Sequence, residues 1–142
     1  MKRILVLNGP NLNLLGIREP AVYGKETYAE LVKQIRQHAA ARGCEVEVFQ
    51  SNHEGALVDR IQKAYGAFDG IAINPAAYTH TSVAILDALK AVAIPFVEVH
   101  LTDIDAREPF RKVSYVASAA AHRVVGRGFA GYLEAIDFLL SP

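Results

Sequence analysis

The feature that most constrains the fold of this chain is a regular alternation of strand-like runs with helix-like segments. Short β-branched and apolar runs predict strands at Ile4–Leu7, Glu45–Phe49, Gly70–Asn74, Ile94–Thr102 and Arg123–Gly126. The first and third runs are apolar without alternation, which is typical of strands buried on both faces of a parallel sheet. Repeated strand–helix units predict a sheet that is covered by helices on both sides.

Four helices are predicted between and after these strands, from Thr27 to Gly43, from Ser51 to Tyr65, from Ser82 to about Val92, and from Gly131 to Leu140. Capping-box patterns begin the first helix at Thr27 and the second at Ser51. The first helix should bury Leu31, Ile35 and Ala39, and the last should pack through Leu133, Ile136 and Leu140. These elements predict a three-layer α/β domain with right-handed crossovers and a five-stranded parallel sheet in the flavodoxin-like order 2-1-3-4-5.

Composition narrows the class of protein further. The 142 residues fit one domain over 1–142, and 51% hydrophobic residues are enough for a substantial core. Lys plus Arg and Asp plus Glu number 15 each, so the charge gives no sign of a nucleic-acid or membrane-surface partner, and an apolar, neutral domain hints at a homo-oligomer. A single cysteine, Cys44, and the absence of a long apolar run predict a cytoplasmic protein that does not span a membrane.

Two ionisable residues stand out inside the strand Ile94–Thr102. Glu98 and His100 are two positions apart, so they project from the same face of the strand, near its carboxyl end. Ligands bind at that end of open α/β sheets. One interpretation is a structural pair in the core. The other, which we favour, is a catalytic acid or base that is oriented by a carboxylate.

Other polar residues also follow predicted strands, namely Asn8, Asn11, Asn74 and Thr102. Each asparagine alone is as well explained by turn formation as by ligand binding. The carboxyl ends of parallel strands share one edge, so together these residues predict a polar pocket there. The loop 8–24 is long, and we predict a lid at about 17–25 that carries Arg18 and Tyr23. Such a pocket suits a small, polar, anionic ligand.

Several chemistries are disfavoured by the sequence. The run Gly126–Gly131 matches a dinucleotide fingerprint but follows the wrong strand and lacks the acidic residue downstream, so it predicts only a tight, closely packed turn. Cys44 lies at a strand start, and no lysine ends a buried strand, which disfavours covalent catalysis. His80, Asp87, Glu98 and His100 lack a metal-ligand spacing. Acid–base chemistry without a metal or cofactor remains. Tyr23 could be a base if cations such as Arg18, Arg107 and Arg111 favour its phenolate, or merely an exposed loop aromatic.

A set of motifs carries a resemblance to a known family. They are Asn8–Gly16, Arg18–Gly24, Gln50–Asn52 with Glu54 and Gly55, Asn74–Ala84, Glu98–Thr102, and Ala106–Arg111 with Ser114 and Tyr115. In order and over nearly the whole chain, they resemble the type II 3-dehydroquinate dehydratases. The resemblance implies a lyase of the shikimate pathway that converts 3-dehydroquinate to 3-dehydroshikimate by trans-dehydration through an enolate. It leaves open whether the reaction serves aromatic amino-acid biosynthesis or quinate breakdown.

The resemblance also implies roles for individual residues. Tyr23 would take the C2 proton with help from Arg18, Asn11 would hold a water at the enolate oxygen, and His100, oriented by Glu98, would protonate the leaving hydroxyl. The residues implied to bind substrate are Asn74, His80, Arg111, a neighbouring subunit's Asp87, and the backbone of Leu101 and Thr102. Arg107 would support the site. The assembly implied is a dodecamer of trimers.

The chain departs from the family pattern at Asp105, at Lys112-Val113 and at His122-Arg123, none of which is expected to touch a catalytic residue. Two other functions compete with the enzyme. One is a noncatalytic flavodoxin-like module that binds a small anion, and the other is a flavin or nucleotide carrier. A buried Glu–His pair and a Tyr–Arg lid favour the enzyme, because simple binding needs no tuned acid or base. Pro10 and Leu12 disfavour a phosphate loop after the first strand.

Overall fold

The computed structural model describes residues 1–17, 21 and 26–142. Its described parts contain one parallel sheet of five strands: β1 (Arg3–Asn8), β2 (Glu45–Gln50), β3 (Gly70–Asn74), β4 (Phe96–His100) and β5 (His122–Val125). The strand order is β2-β1-β3-β4-β5, which confirms the predicted flavodoxin-like arrangement. The predicted lid falls largely outside the described residues, and with it Arg18 and Tyr23.

Four α-helices cover this sheet within the described ranges: α1 (Tyr28–Ala41), α2 (Glu54–Ala64), α3 (Val83–Val92) and α4 (Ala130–Leu140). Side chains alternate across each strand, so β1 sends Ile4 and Val6 to one face and Leu5 and Leu7 to the other. The first face packs on α1 and α4, and the second on α2 and α3. No helix in the described ranges is long and apolar enough to cross a membrane.

Of the four predicted helix starts, two were right, one was off by a single residue, since α4 begins at Ala130, and one was wrong. Thr27 caps α1 by accepting a hydrogen bond from the backbone N–H of Glu30, at 3.2 Å, and Ser82 caps α3 in the same way. Ser51 does not cap α2, because that helix begins one turn later, after His53. The Ser51 hydroxyl instead accepts from the N–H of His53 in a local turn. Ser hydroxyls stabilise such turns as readily as helix starts, so the capping-box pattern was ambiguous there.

The last helix buries a stripe that differs from the predicted one. Leu31, Ile35 and Ala39 of α1 are buried as expected, but in α4 Leu133 and Leu140 are only half-buried. The residues that α4 buries are Gly131, Tyr132, Ala135, Ile136 and Leu139. A mostly apolar helix has no sharp polar face, so its sequence does not fix which side packs inward. The consequence is that the Tyr132 side chain is fully buried.

Candidate active site

The carboxyl ends of β1, β3 and β4 meet at one edge of the sheet and form a cleft. Its polar wall is made by Asn11, Asn74, His80, His100, Thr102, Arg107 and Arg111. Its apolar wall includes Pro10, Leu12, Leu101 and Ile104. Within the described residues, none of the side chains that line the cleft is acidic, so a negatively charged ligand would meet only neutral and cationic groups.

Glu98 and His100 form a buried pair on β4, as their spacing predicts. Glu98 is 0% and His100 is 4% exposed. The Nε2 atom of His100 lies 2.5 Å from Oε2 of Glu98, which is a short, charge-assisted contact. His100 reaches the cleft, whereas Glu98 lies behind it. The carboxylate therefore contacts the imidazole from the side away from a ligand.

Two further side chains hold Glu98. Arg123 on β5 donates from Nε to Oε1 at 2.8 Å and from Nη2 to Oε2 at 3.3 Å. Ser114 donates its hydroxyl to Oε2 at 2.7 Å. Sequence reasoning assigned neither residue a role, although Ser114 lies in a motif of the resemblance and Arg123 at a departure from it. Arg123 is directly opposite Glu98 in the pairing of β4 with β5, and a charged residue in a predicted strand was the signal that could have pointed to it.

These contacts set the ionisation of Glu98. Burial acts to raise the pKa of the carboxyl, but hydrogen bonds from His100, Arg123 and Ser114 outweigh it and lower the pKa to about 2. An ionised carboxylate only accepts hydrogen bonds, so Nε2 of His100 must carry a proton. Nδ1 is then the ring nitrogen that is left to exchange a proton with a ligand.

A second buried network anchors Asn74 at the end of β3. The side-chain amide of Asn74 donates to the Tyr132 hydroxyl at 3.1 Å, and its oxygen accepts from the N–H of Ala76 at 3.0 Å. Tyr132 in turn donates to Oδ1 of Asn8 at 2.6 Å, and Asn8 donates to the Tyr28 hydroxyl at 3.3 Å. Burial raises the pKa of Tyr132 far above its usual value, so the hydroxyl keeps its proton. The Asn74 amide is thereby held in one orientation.

Asn11 sits on the rim of the cleft in a left-handed backbone conformation, with φ of 68°. Asparagine tolerates this conformation better than most residues. Its backbone N–H donates to Oδ1 of Asn52 at 3.0 Å, and Asn52 also accepts from Gln50. Just before it, Gly9 lies so close to β3 that an added Cβ would be 2.3 Å from the carbonyl oxygen of Pro75. The loop after β1 can therefore approach β3 only through a glycine.

The cationic side of the cleft comes from the turns after β3 and β4. His80 donates from Nδ1 to the carbonyl oxygen of Val113 at 2.7 Å. Burial, opposed in part by this hydrogen bond, lowers the pKa of His80, and the charge of Arg111 lowers it further. Arg111 pairs with Glu108 and lies over the ring of Phe110. Arg107 lines the same wall. The neutral form of His80 is thus favoured beside the arginines.

The structure brings most of the predicted site residues together, but not all. Leu101 and Thr102 line the cleft, as do Asn11, Asn74 and His80. Asp87 is exposed on α3 and does not line the cleft of its own chain. Arg18 and Tyr23 lie outside the described residues. The expectation that departures from the family pattern avoid the catalytic residues is wrong for Arg123, which binds Glu98 directly.

The glycine-rich run after β5 supports the cleft from behind. Gly126 donates its N–H to the carbonyl oxygen of His100 at 3.1 Å, and Gly128 donates to that of Leu101 at 3.0 Å. Both have positive φ, of 74° and 56°. A Cβ added at Gly131 would lie 3.1 Å from Val124. The run is therefore the closely packed turn that was predicted, and it fixes the backbone at the end of β4.

Comparisons with known proteins agree with this architecture and site. The chain matches the family model of class II dehydroquinases over residues 2–140. A curated relative, the catabolic 3-dehydroquinase of Aspergillus clavatus, is 57% identical over 96% of this chain and 91% of its own. The crystal structure of type II dehydroquinase from Butyrivibrio crossotus has a TM-score of 0.97 at 51% identity, covering 99% of this chain and 98% of that one. The type II dehydroquinase structure from Propionibacterium acnes gives 0.94 at 40% identity, covering 98% and 96%.

A parallel flavodoxin-like sheet with a buried Glu–His pair and a polar cleft at its carboxyl edge defines a ligand-binding α/β protein. Within that class, the match over residues 2–140 shows that the chain belongs to the class II dehydroquinase family.

Proposed function

We propose that this chain catalyses the trans-dehydration of 3-dehydroquinate to 3-dehydroshikimate, through an enolate and without a cofactor. The observation that carries the proposal is the buried Glu98–His100 pair, which presents an imidazole to a cleft whose described walls hold no acid. Loss of water from a β-hydroxy ketone needs a base for the carbon-bound proton and an acid for the hydroxyl. The substrate's carboxylate fits a neutral-to-cationic cleft.

His100 is the proposed acid. Glu98 occupies Nε2 of the imidazole, so the proton goes to the leaving C1 hydroxyl from Nδ1. In the imidazolium form both ring nitrogens carry a proton, so Nδ1 can release one while Nε2 keeps its hydrogen bond to Glu98. After the hydroxyl leaves as water, the ring is neutral with its remaining proton on Nε2.

Tyr23 is the proposed base, with Arg18 favouring its phenolate. A tyrosine has an ordinary pKa of about 10, so neighbouring positive charge is needed before it can remove a proton at neutral pH. Arg107 and Arg111 add positive charge to the cleft into which the lid would carry Tyr23. Asn11, on the rim, holds the water that would stabilise the enolate oxygen.

Substrate binding is assigned to the residues at the ends of β3 and β4. Asn74, held by Tyr132 and Ala76, and the backbone of Leu101 and Thr102 would bind the carboxylate. His80 and Arg111 would bind the ring hydroxyls, together with Asp87 from a neighbouring subunit. Asp87 is exposed and does not line its own cleft, which is the geometry expected of a residue that serves another chain.

The two proposed proton transfers can be separated by NMR. Tyr23→Phe should abolish exchange of the substrate's C2 proton with deuterated solvent, while His100→Ala should lose hydroxyl elimination but keep part of the exchange. Each should lower kcat by about 10²–10⁴-fold, since that is the usual contribution of an acid or base. Substrate binding should persist in both. If Tyr23→Phe exchanges the proton at the parent rate, Tyr23 is not the base. A parent protein that binds 3-dehydroquinate without turnover would support a binding module instead.

The proposal takes residues 1–142 as one catalytic domain with a lid at about 17–25, acting in the cytoplasm as a dodecamer of trimers. Its test is a mixing experiment. Asp87→Ala and Tyr23→Phe should each be nearly inactive alone. Co-expressed, they should regain activity, because one subunit's intact Tyr23 meets the other's intact Asp87. When the parent is sedimented and its fractions are assayed, the activity should be found with oligomers and not with monomers. No recovery, or a fully active monomer, would rule out the shared site.

The pathway is tested separately from the reaction. The curated fungal relative is called catabolic, which favours quinate breakdown, whereas the family resemblance first suggested the shikimate pathway in general. Quinate breakdown predicts that deletion of the gene prevents growth on quinate but not growth without aromatic amino acids. The opposite pattern of growth would place the enzyme in biosynthesis.

A further inference from the structure

Arg123 occupies a position that the fold, rather than the local sequence, determines. Strands β4 and β5 pair in parallel with Glu98 directly opposite Arg123. From there the guanidinium donates to both carboxylate oxygens, at 2.8 Å and 3.3 Å. The carboxylate is fully buried, whereas the Arg123 side chain is 32% exposed. Arg123 therefore reaches Glu98 from a partly exposed position on the edge strand β5 and does not line the cleft.

The groups around Glu98 divide into two sets. His100 from β4 and Ser114 from the loop before β5 contact Oε2 alone, while Arg123 donates to both oxygens and, among the described residues, is the partner of Oε1. His80 also interacts electrostatically with Glu98 and His100, and Arg111 interacts with His80. Among the described contacts of Glu98, only Arg123 brings a permanent positive charge. His100 is charged only when it holds the proton that it is proposed to deliver.

The need for that charge follows from burial. Burying an ionised carboxylate costs free energy unless a positive charge lies next to it. His100 cannot supply that charge throughout, because the charge of its ring changes during the proposed reaction. Without the guanidinium, only His100 and Ser114 would oppose the effect of burial, so the pKa of Glu98 would rise and the protonated carboxyl would form more readily. A protonated Glu98 would donate to Nε2, so the neutral ring would carry its own proton on Nδ1. A neutral imidazole is a far weaker acid than an imidazolium, and elimination of the hydroxyl would slow.

We propose that Arg123 is a positioning residue of the dehydration, which keeps Glu98 ionised and aimed at His100 so that Nδ1 delivers the proton. This inference rests on the proposed acid role of His100. Arg123 touches neither the cleft nor, in this scheme, the substrate. Its effect passes through Glu98, so it should change kcat and the pH dependence of kcat and leave substrate affinity nearly unchanged.

The test compares three variants in the assembled protein. Arg123→Gln removes the charge, and Arg123→Lys keeps it but loses the two-pronged geometry. Arg60→Gln is the matched control, because Arg60 also pairs with a strand glutamate, Glu47, at 2.6 Å, but at β2 on the opposite edge of the sheet. Arg123→Gln should lower kcat about 10–100-fold, a part of the general-acid contribution. KM should change by less than about threefold, and Arg60→Gln should match the parent.

The pH dependence of kcat distinguishes this role of Arg123 from a purely structural one, which would not change it. In the parent, the acid limb due to Glu98 should lie far below neutrality, because the pKa of Glu98 is about 2. Arg123→Gln should move that limb towards neutral pH, and Arg123→Lys should move it part of the way back. Infrared titration of the protein without substrate should show Glu98 taking up a proton at higher pH in Arg123→Gln, with Glu98→Gln used to assign the band.

Two results would overturn the inference. One is an Arg123→Gln variant whose pH profile and Glu98 titration equal those of the parent, even if its stability falls. The other is a full additive loss when Arg123→Gln is combined with Glu98→Gln, because a residue that acts through Glu98 has nothing left to position. Failure of the acid role itself would look different. His100→Ala would then eliminate the hydroxyl at the parent rate, while the infrared titration would still report on Arg123 and Glu98.

Discussion

Replacement of Tyr132 by phenylalanine should weaken both the fold and substrate binding. The Tyr132 side chain is fully buried, and its hydroxyl joins Oδ1 of Asn8, at 2.6 Å, to the amide of Asn74, at 3.1 Å. Phenylalanine keeps the ring, so no cavity larger than the hydroxyl forms. What is lost is one hydrogen bond to each of two buried amide side chains, Asn8 at 0% and Asn74 at 3% exposure.

The size of the effect follows from those two bonds. A buried polar group that loses its partner costs about 1–3 kcal/mol, and Asn8 and Asn74 each keep another contact. We therefore expect Tyr132→Phe to lower the free energy of unfolding by about 2–4 kcal/mol. Asn74 would retain only the bond from the Ala76 N–H, so its amide would be less well oriented towards a carboxylate. KM should rise about 10-fold, which corresponds to about 1.4 kcal/mol, with kcat changing less.

The measurements are urea unfolding and steady-state kinetics on the assembled protein. Tyr65→Phe is the matched control, since Tyr65 is 66% exposed and the same hydroxyl is removed at the surface. Its effect should stay within about 0.5 kcal/mol. The reasoning is refuted if Tyr132→Phe unfolds at the same urea concentration as Tyr65→Phe and binds substrate like the parent. If stability falls but KM does not, the anchoring of Asn74 plays no part in binding.

Three shorter predictions concern the backbone, the pH and cofactors. Gly9→Ala should lower the free energy of unfolding by about 1–3 kcal/mol in the same urea assay, because the added Cβ would lie 2.3 Å from the Pro75 carbonyl oxygen. Gly55→Ala in α2 is the control: its Cβ would meet nothing within 4 Å, so it should raise the free energy of unfolding by up to about 1 kcal/mol. Because the pKa of Glu98 is depressed to about 2, its ionisation should contribute about 3 kcal/mol of stability, which is present above the usual glutamate pKa of about 4.5 and is lost as the pH falls towards 2. The measurement is the free energy of unfolding of the parent and of Glu98→Gln across this pH range. A difference between the two proteins that does not depend on pH would contradict the prediction. Activity should survive both a chelator and borohydride added with substrate, and its loss under either treatment would show a metal or an imine.

The strands and helices were predicted well from the sequence because buried positions follow a local pattern of apolar residues. The continuous apolar run Gly70–Asn74 became β3 with the same ends, and the stripe of Leu31, Ile35 and Ala39 is buried in α1 as its spacing required. The Glu98–His100 pair was also visible, since two ionisable residues at strand spacing within an apolar run have few explanations.

The rest of the site depends on register between distant segments, which no local pattern contains. Arg123 looked like the first residue of an ordinary strand, and only the pairing of β4 with β5 places it on Glu98. Tyr132 lies in a mostly apolar helix, and only the packing of α4 brings its hydroxyl to Asn8 and Asn74. Ser51 failed for a different reason, because a helix cap and a local turn use the same residue types.

The bond between Tyr132 and Asn8 joins residues 124 positions apart and has a consequence for how the protein is made. A chain emerging from the ribosome exposes β1 and Asn8 early, but the hydroxyl that satisfies Asn8 arrives only with α4. Until then Asn8 and Asn74 must remain hydrated or bind some other group. The nascent chain can therefore form helices and pair its first strands, but it cannot complete the hydrogen bonds of the Asn8 and Asn74 side chains beneath the cleft. The order of synthesis thus keeps Oδ1 of Asn8 without this hydrogen bond until α4 has been made.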